Sequence, residues 1–192
     1  RFVASGRMSR TVWNVAHPQI AGTELFELDE RDSDVVLNGW VVAAVEGTAC
    51  AVSYEVVADS GWVTRRVVVT LLSDSNRTLT IEHDGEGRWS VDGVPRSDLS
   101  PCRDVDLGIS PSTNTLPVRR LGIGVGDVAH LDAAWVRFPQ MTVEVLSQSY
   151  ERTGDRSYRY SSANFQRDLE VDEEGVVLRY GDDLWQALDL RR

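Results

Sequence analysis

The densest chemistry in the chain lies in residues 102–121. Asp104 and Asp106 stand at i and i+2, the polar run Pro111-Ser112-Thr113-Asn114-Thr115-Leu116-Pro117 follows, and Arg119-Arg120 close the segment. In an extended chain both carboxylates project from one face while Val105 and Leu107 occupy the other. If that face lines a cavity, the pair can work as acid and base or bind a cation. The same residues also suit ion pairing with nearby arginines, because Asp-x-Asp is too common a spacing to specify a site. The prolines predict a rigid loop at 111–117, where Asn114 bonds either to the backbone of the turn or to hydroxyls of a ligand. An extended chain beyond Pro117 places Arg119 and Arg120 on opposite faces. One of them then points inward, where a guanidinium needs a carboxylate, a phosphate or several carbonyls.

A second inward cation is expected in Trp62-Val63-Thr64-Arg65-Arg66-Val67-Val68-Val69, where alternation puts Arg65 on the face of Val63, Val67 and Val69. A cation on an apolar face is costly unless paired, so Asp104 or Asp106 is its predicted partner. The alternative is a twisted edge strand on which Arg65 reaches solvent. Tyr150, Tyr158 and Tyr160 gather around Gln148 and Arg159, with Tyr158 and Tyr160 on one strand face. Rings that carry hydroxyls suit sugar or headgroup recognition, and they suit core packing as well. Neither a Gly-x-Ser-x-Gly elbow, nor a phosphate-cradling loop with lysine, nor a histidine pair at zinc spacing occurs, and His17, His83 and His130 are far apart. No cofactor or metal is expected.

The elements that must position these groups are strands. Runs rich in β-branched and aromatic residues cover 23–29, 35–45, 48–58, 62–72, 78–83, 129–138, 141–152, 158–161, 165–172 and 176–180, separated by turns such as Asp59-Ser60-Gly61 and Asp84-Gly85-Glu86-Gly87. Only 182–190 has helical spacing, through Leu184, Trp185 and Leu188, and a strand is an alternative there. Residues 78–87 echo 167–175, which reads either as two related β units or as two hairpins with similar turn chemistry. With 192 residues and no linker, one domain over 1–192 is expected. The net charge of -10 argues against a nucleic-acid partner. Cys50 and Cys102 fit one disulfide or two reduced thiols. No apolar run is long enough to span a bilayer, and no signal core is visible in the sequence as given, so a cytoplasmic protein is the default expectation. Oligomeric state is left open.

The run Asp104-Val105-Asp106-Leu107, Pro111, Thr113-Asn114-Thr115-Leu116-Pro117, Arg119-Arg120-Leu121 resembles the central signature of the bacterial putative glycolipid-binding family. Flanking matches are Gly22-Thr23-Glu24, Trp62-Val63-Thr64-Arg65, Gly87-Arg88-Trp89, Gln148-Ser149-Tyr150, Tyr158-Arg159-Tyr160, Phe165, and Asp172 with Gly175, Val177 and Tyr180. Ser112 stands where the resemblance leads one to expect phenylalanine, and 182–185 replaces a more apolar ending. The resemblance implies a mainly β fold, a large curved antiparallel sheet forming an open or half barrel like those of bacterial lipoprotein carriers, with an elongated cavity. The leading expectation is a non-catalytic protein that holds a glycolipid or another amphipathic small molecule. Its polar end would be built from Glu24, Arg65, Asp104, Asp106, Asn114, Arg119, Tyr150, Tyr158 and Tyr160. One alternative is a hydrolase or isomerase using Asp104 or Asp106 with Glu24. Another is an interaction domain in which a buried Arg-Asp network merely fixes the curvature of the sheet.

Overall fold

A computed structural model describes residues 7–74, 76–182 and 184–188. The strands are β1 (Arg7–His17), β2 (Ile20–Glu30), β3 (Asp34–Val45), β4 (Thr48–Asp59), β5 (Thr64–Leu71), β6 (Arg77–His83), β7 (Trp89–Val91), β8 (Val94–Pro95), β9 (Asp104–Leu107), β10 (Val128–Arg137), β11 (Thr142–Gly154), β12 (Ser157–Ser162), β13 (Phe165–Val171), β14 (Val177–Tyr180) and β15 (Gln186–Ala187). Among the described residues the α-helix is α1 (Thr115–Leu121). All strands join one 15-stranded sheet in the order β8-β7-β6-β5-β4-β3-β2-β1-β15-β14-β13-β12-β11-β10-β9. The first meander, β1 to β8, runs outward to one edge; the chain then crosses to the other edge as β9 and returns through β10 to β15 to pair with β1. Every pairing is antiparallel except β9 on β10.

Strict alternation explains why one face of this sheet is the core. In β4, for example, Val52, Tyr54, Val56 and Ala58 are buried while their neighbours are partly exposed. Each large aliphatic side chain so buried contributes about 1.5–3 kcal/mol. The sheet is curved but not closed into a barrel. Its β9 edge comes back to the start of β5, where Thr64 N–H donates to the Arg103 carbonyl at 3.1 Å and Val105 N–H donates to Thr64 Oγ1 at 3.1 Å.

Three turns share one construction. In each, an aspartate Oδ1 accepts from the amides two and four residues on: Asp59 from Gly61 and Val63, Asp84 from Glu86 and Arg88, Asp172 from Glu174 and Val176. The echo between 78–87 and 167–175 thus coincides with turn chemistry that Asp59 repeats without any flanking similarity. The fourth position of each turn needs φ > 0, which Gly87 and Gly175 supply freely and Trp62 adopts at φ 64°.

Two expected elements differ. The 111–117 loop is instead a 3-10 turn, Ser112–Asn114, that runs directly into α1. Pro117 is tolerated because it falls in the first helical turn, where the amide it lacks would have no partner within the helix. Arg119 and Arg120 are therefore not on opposite faces of an extended chain; they share the last turn of a helix. In 182–190 the expected helix is replaced, over the described residues, by β15, with Trp13 opposite Ala187; residues 183, 189 and 190 lie outside the described residues. The β1 strand was not anticipated, because its first residues are polar. Cys50 and Cys102 are both buried free thiols, and burial pushes Cys102 up to about 12. No helix among the described residues is long and apolar enough to cross a membrane.

Candidate functional site

Residues 110–121 lie inside the curved sheet and touch both of its halves. On one side Ser110 and Ser112 meet Glu24 of β2 and Tyr54 of β4; on the other Asn114 meets Tyr150 of β11 and Arg120 meets Asp104 of β9. This segment acts as a plug. Thr115, Leu116, Pro117 and Val118 are buried, so it is held by apolar packing as well as by polar contacts.

The register of the strands distinguishes the two ends of the trough. At one end lie the β2–β3, β4–β5 and β13–β14 turns, drawn together by Arg119. Its guanidinium stacks 4.4 Å over the Trp62 ring, pairs with Glu30 at 3.1 Å and donates to the Glu174 carbonyl at 3.1 Å. Arg65 lies at the same end and grips Asp59 through Nε at 3.0 Å and Nη2 at 2.6 Å. Asp104 is buried and held bidentately by Arg120 at 3.1 and 2.6 Å; burial still leaves its carboxyl above the usual aspartate range. These contacts close that end.

The opposite end holds a cavity of about 580 Å³. Its rim is formed by exposed Glu46, Arg137, Gln140, Ala163 and Asn164, from the β3–β4, β10–β11 and β12–β13 turns. Its wall is aromatic, with Trp135, Phe138, Tyr160, Phe165, Tyr180 and Trp185, and its floor is polar, with Asp106, Ser110 and Asn114. Asp106 accepts a hydrogen bond from the Gln148 amide on β11, and burial raises its carboxyl to about 6 against that bond. Asn114 is fixed from both sides: Tyr150 Oη donates to its Oδ1 at 2.7 Å, and its Nδ2 donates to the Pro111 carbonyl at 2.9 Å.

Behind Ser110 sits a buried acid. Glu24 Oε1 accepts from the Tyr54 hydroxyl at 2.5 Å and from Ser110 Oγ at 2.7 Å, while Oε2 has no partner among the described residues. Tyr54 Oη and Ser110 Oγ also stand 2.6 and 2.8 Å from Ser112 Oγ. Desolvation dominates here and pushes Glu24 up to about 8, the two hydroxyl bonds only partly opposing it.

Of the nine residues expected to build a polar site, the structure brings Asp106, Asn114 and Tyr160 to the cavity. Glu24 and Tyr150 stand behind its floor, bonded to Ser110 and Asn114. Arg65, Asp104, Arg119 and Tyr158 do not line it, and the expected pairing of Arg65 with Asp104 or Asp106 is not formed. The reason is a β-bulge: Ala58 pairs with Thr64 while Val57 pairs with Arg66, so the inward phase slips by one residue and Thr64 is buried where Arg65 was expected. Tyr158 is inward but next to the closed end, its ring 5.9 Å from the Arg152 guanidinium. Sequence reasoning missed Tyr54, Ser110, Phe165 and Tyr180 as site residues. Tyr54 had one signal: it lies opposite Gly39, and a Cβ there would come within 2.2 Å of its ring. A large groove on the outer face of β12–β14 is lined by charges that pair with one another, Arg159 with Asp168 and Arg179 with Glu170.

The fold and site define a mainly β protein with a curved open sheet, an internal plug and an aromatic-walled cavity at one end. The chain belongs to the family described as "Putative glycolipid-binding", whose model matches residues 10–187. It is similar to a crystal structure of a DUF1089 family protein from Pseudomonas aeruginosa, with 27% identity, a TM-score of 0.68, and coverage of 98% of this chain and 95% of that one. No curated protein matches the chain.

Proposed function

We propose that this chain is a non-catalytic binding protein, acting as one domain, that holds an amphipathic small molecule of the glycolipid kind in the cavity between its sheet and its plug. The observation that carries this reading is the cavity, whose aromatic wall ends in a floor of fixed polar groups. That is the usual composition of a small-molecule site, and about 580 Å³ is ample for part of a lipid. An acyl tail gains about 0.8 kcal/mol for each methylene it buries. The headgroup role falls to Asp106, Asn114 and Tyr160 rather than to arginines, since Arg65 and Arg119 are engaged at the closed end. A catalytic use of paired carboxylates has less support: Arg120 occupies Asp104, and Glu24 faces the hydroxyls of Tyr54 and Ser110.

The test is native mass spectrometry of gently purified protein, organic extraction of what accompanies it, and titration with single-chain amphiphiles. A stoichiometric adduct, or saturable one-to-one binding that changes tryptophan fluorescence, is expected. An apo mass that persists through the whole titration, with unchanged fluorescence, would overturn the reading.

A further inference from the structure

We infer that the cavity selects a headgroup carrying a positively charged amine, with Asp106 as its counter-ion and the rings of Tyr160 and Tyr180 as its walls. The inference rests on the proposed binding role of the cavity and names the ligand chemistry that role would take. Asp106 has no cationic partner among the described residues; its bonded neighbour is the uncharged Gln148 amide. A half-buried carboxylate that lines a cavity with no cation beside it leaves its charge uncompensated, and a hydroxyl from a ligand would bond it without cancelling that charge. An ammonium does both.

The rings point the same way. Tyr160, Phe165 and Tyr180 form a triangle with centroid separations of 5.9, 6.0 and 6.1 Å, all three lining the cavity that Asp106 enters. A cation resting over such a cluster lies within reach of several ring faces. The cluster already takes one cation, since the Arg167 guanidinium lies 4.9 Å from the Phe165 centroid. The remaining charges on the cavity lining are Glu46 and Arg137 at the rim, and Arg137 is engaged by the Trp135 ring at 5.2 Å and by Glu144 at 3.4 Å. An anionic headgroup would meet Asp106 with no free guanidinium on the floor to offset it.

The experiment compares four amphiphiles with the same dodecyl tail, below their micellar concentrations, by calorimetry and tryptophan fluorescence: dodecylammonium, dodecyltrimethylammonium, dodecyl maltoside and dodecyl phosphate. The two ammonium compounds should bind about tenfold or more tighter than the maltoside, and the phosphate weakest. Asp106→Asn should remove that advantage, lowering affinity for the two ammonium compounds about tenfold so that neither outbinds the maltoside. A primary amine that outbinds the quaternary one marks a source that donates N–H bonds, such as an amino sugar; the reverse order marks a choline-like headgroup.

Should Asp106→Asn fail to fold, the unsubstituted chain gives the same answer through pH. Between pH 7.5 and 5 ammonium affinity should fall and maltoside affinity should hold. The titratable groups facing Asp106 are Tyr150, Tyr160 and Tyr180, phenols that are neutral across this range and that burial pushes further up, and Glu46, His17 and Arg137 line the outer cavity. The response should therefore survive His17→Asn. Equal binding of all four compounds, or an ammonium preference that Asp106→Asn and pH leave intact, overturns the inference while leaving a binding protein. Failure of all four to bind overturns the proposed function itself.

Discussion

Glu24 is a carboxylic acid that the fold keeps protonated. Its folded value near 8 lies above its ordinary value of 4.5, so between those pH values the folded chain binds a proton that the unfolded chain does not. Stability from this group is complete below about pH 4.5 and is lost as pH rises through about 8, by an amount on the order of a few kcal/mol. Glu24→Gln keeps the shape and neutrality of the acid. In urea unfolding it should match the parent near pH 5, exceed it at pH 8.5, and flatten the slope between; an unchanged slope would assign the pH dependence elsewhere. His83 works in the opposite sense. Burial lowers its pKa, so it detracts from stability as pH falls below about 6.5. Its Nε2 accepts from Gly87 N–H and its Nδ1 meets the Thr64 carbonyl, which is the neutral tautomer's pattern. Arg65 adds its positive charge to the lowering of His83, as a smaller cause than burial. As a partly exposed partner of Asp59 it should cost no more than about 1 kcal/mol when changed to alanine, and ligand titration should be unaltered.

At the scale of elements, the seam between β5 and β9 depends on one side chain. Thr64→Val is nearly isosteric but strands the buried Val105 amide, and should cost about 1–3 kcal/mol in chemical denaturation. A loss below about 0.5 kcal/mol would mean the seam is held by packing alone. Gly175→Ala should also destabilise, by about 1–2 kcal/mol, since φ is +79° and the new Cβ would sit 3.1 Å from Arg119 Cδ. The bulge beside Thr64 also marks the limit of what the sequence reveals. Alternation of Val67, Val69 and Leu71 makes β5 legible as a half-buried strand, and the same alternation misplaces Arg65, because one inserted residue inverts the phase and leaves no compositional trace. The long strands, most turns and the importance of 102–121 were readable from periodicity, Asp-Gly chemistry and the density of polar groups. The helix α1 was not. Seven residues with a proline give little helical period, and its stability comes from packing inside a trough that sequence separation hides. Tyr180 and Phe165 escaped for a similar reason: only the curvature of the sheet turns ordinary inward aromatics into a cavity wall.

At the scale of the whole molecule, the two ends of the trough are separable. Arg119→Ala removes a stacking contact with Trp62 and an ion pair with Glu30, so thermal unfolding should shift down by several degrees. Affinity for an amphiphile should stay within about twofold, because the cavity lies at the other end. If affinity and stability fell together, the ends would be coupled through the plug. The plug has a further consequence. The floor of the cavity is made by Ser110 and Asn114 on that segment as well as by Asp106 on β9. The sheet therefore works as a fixed mould and the plug as an interchangeable stopper. Changing a few stopper side chains would deepen or shorten the cavity with no strand register disturbed.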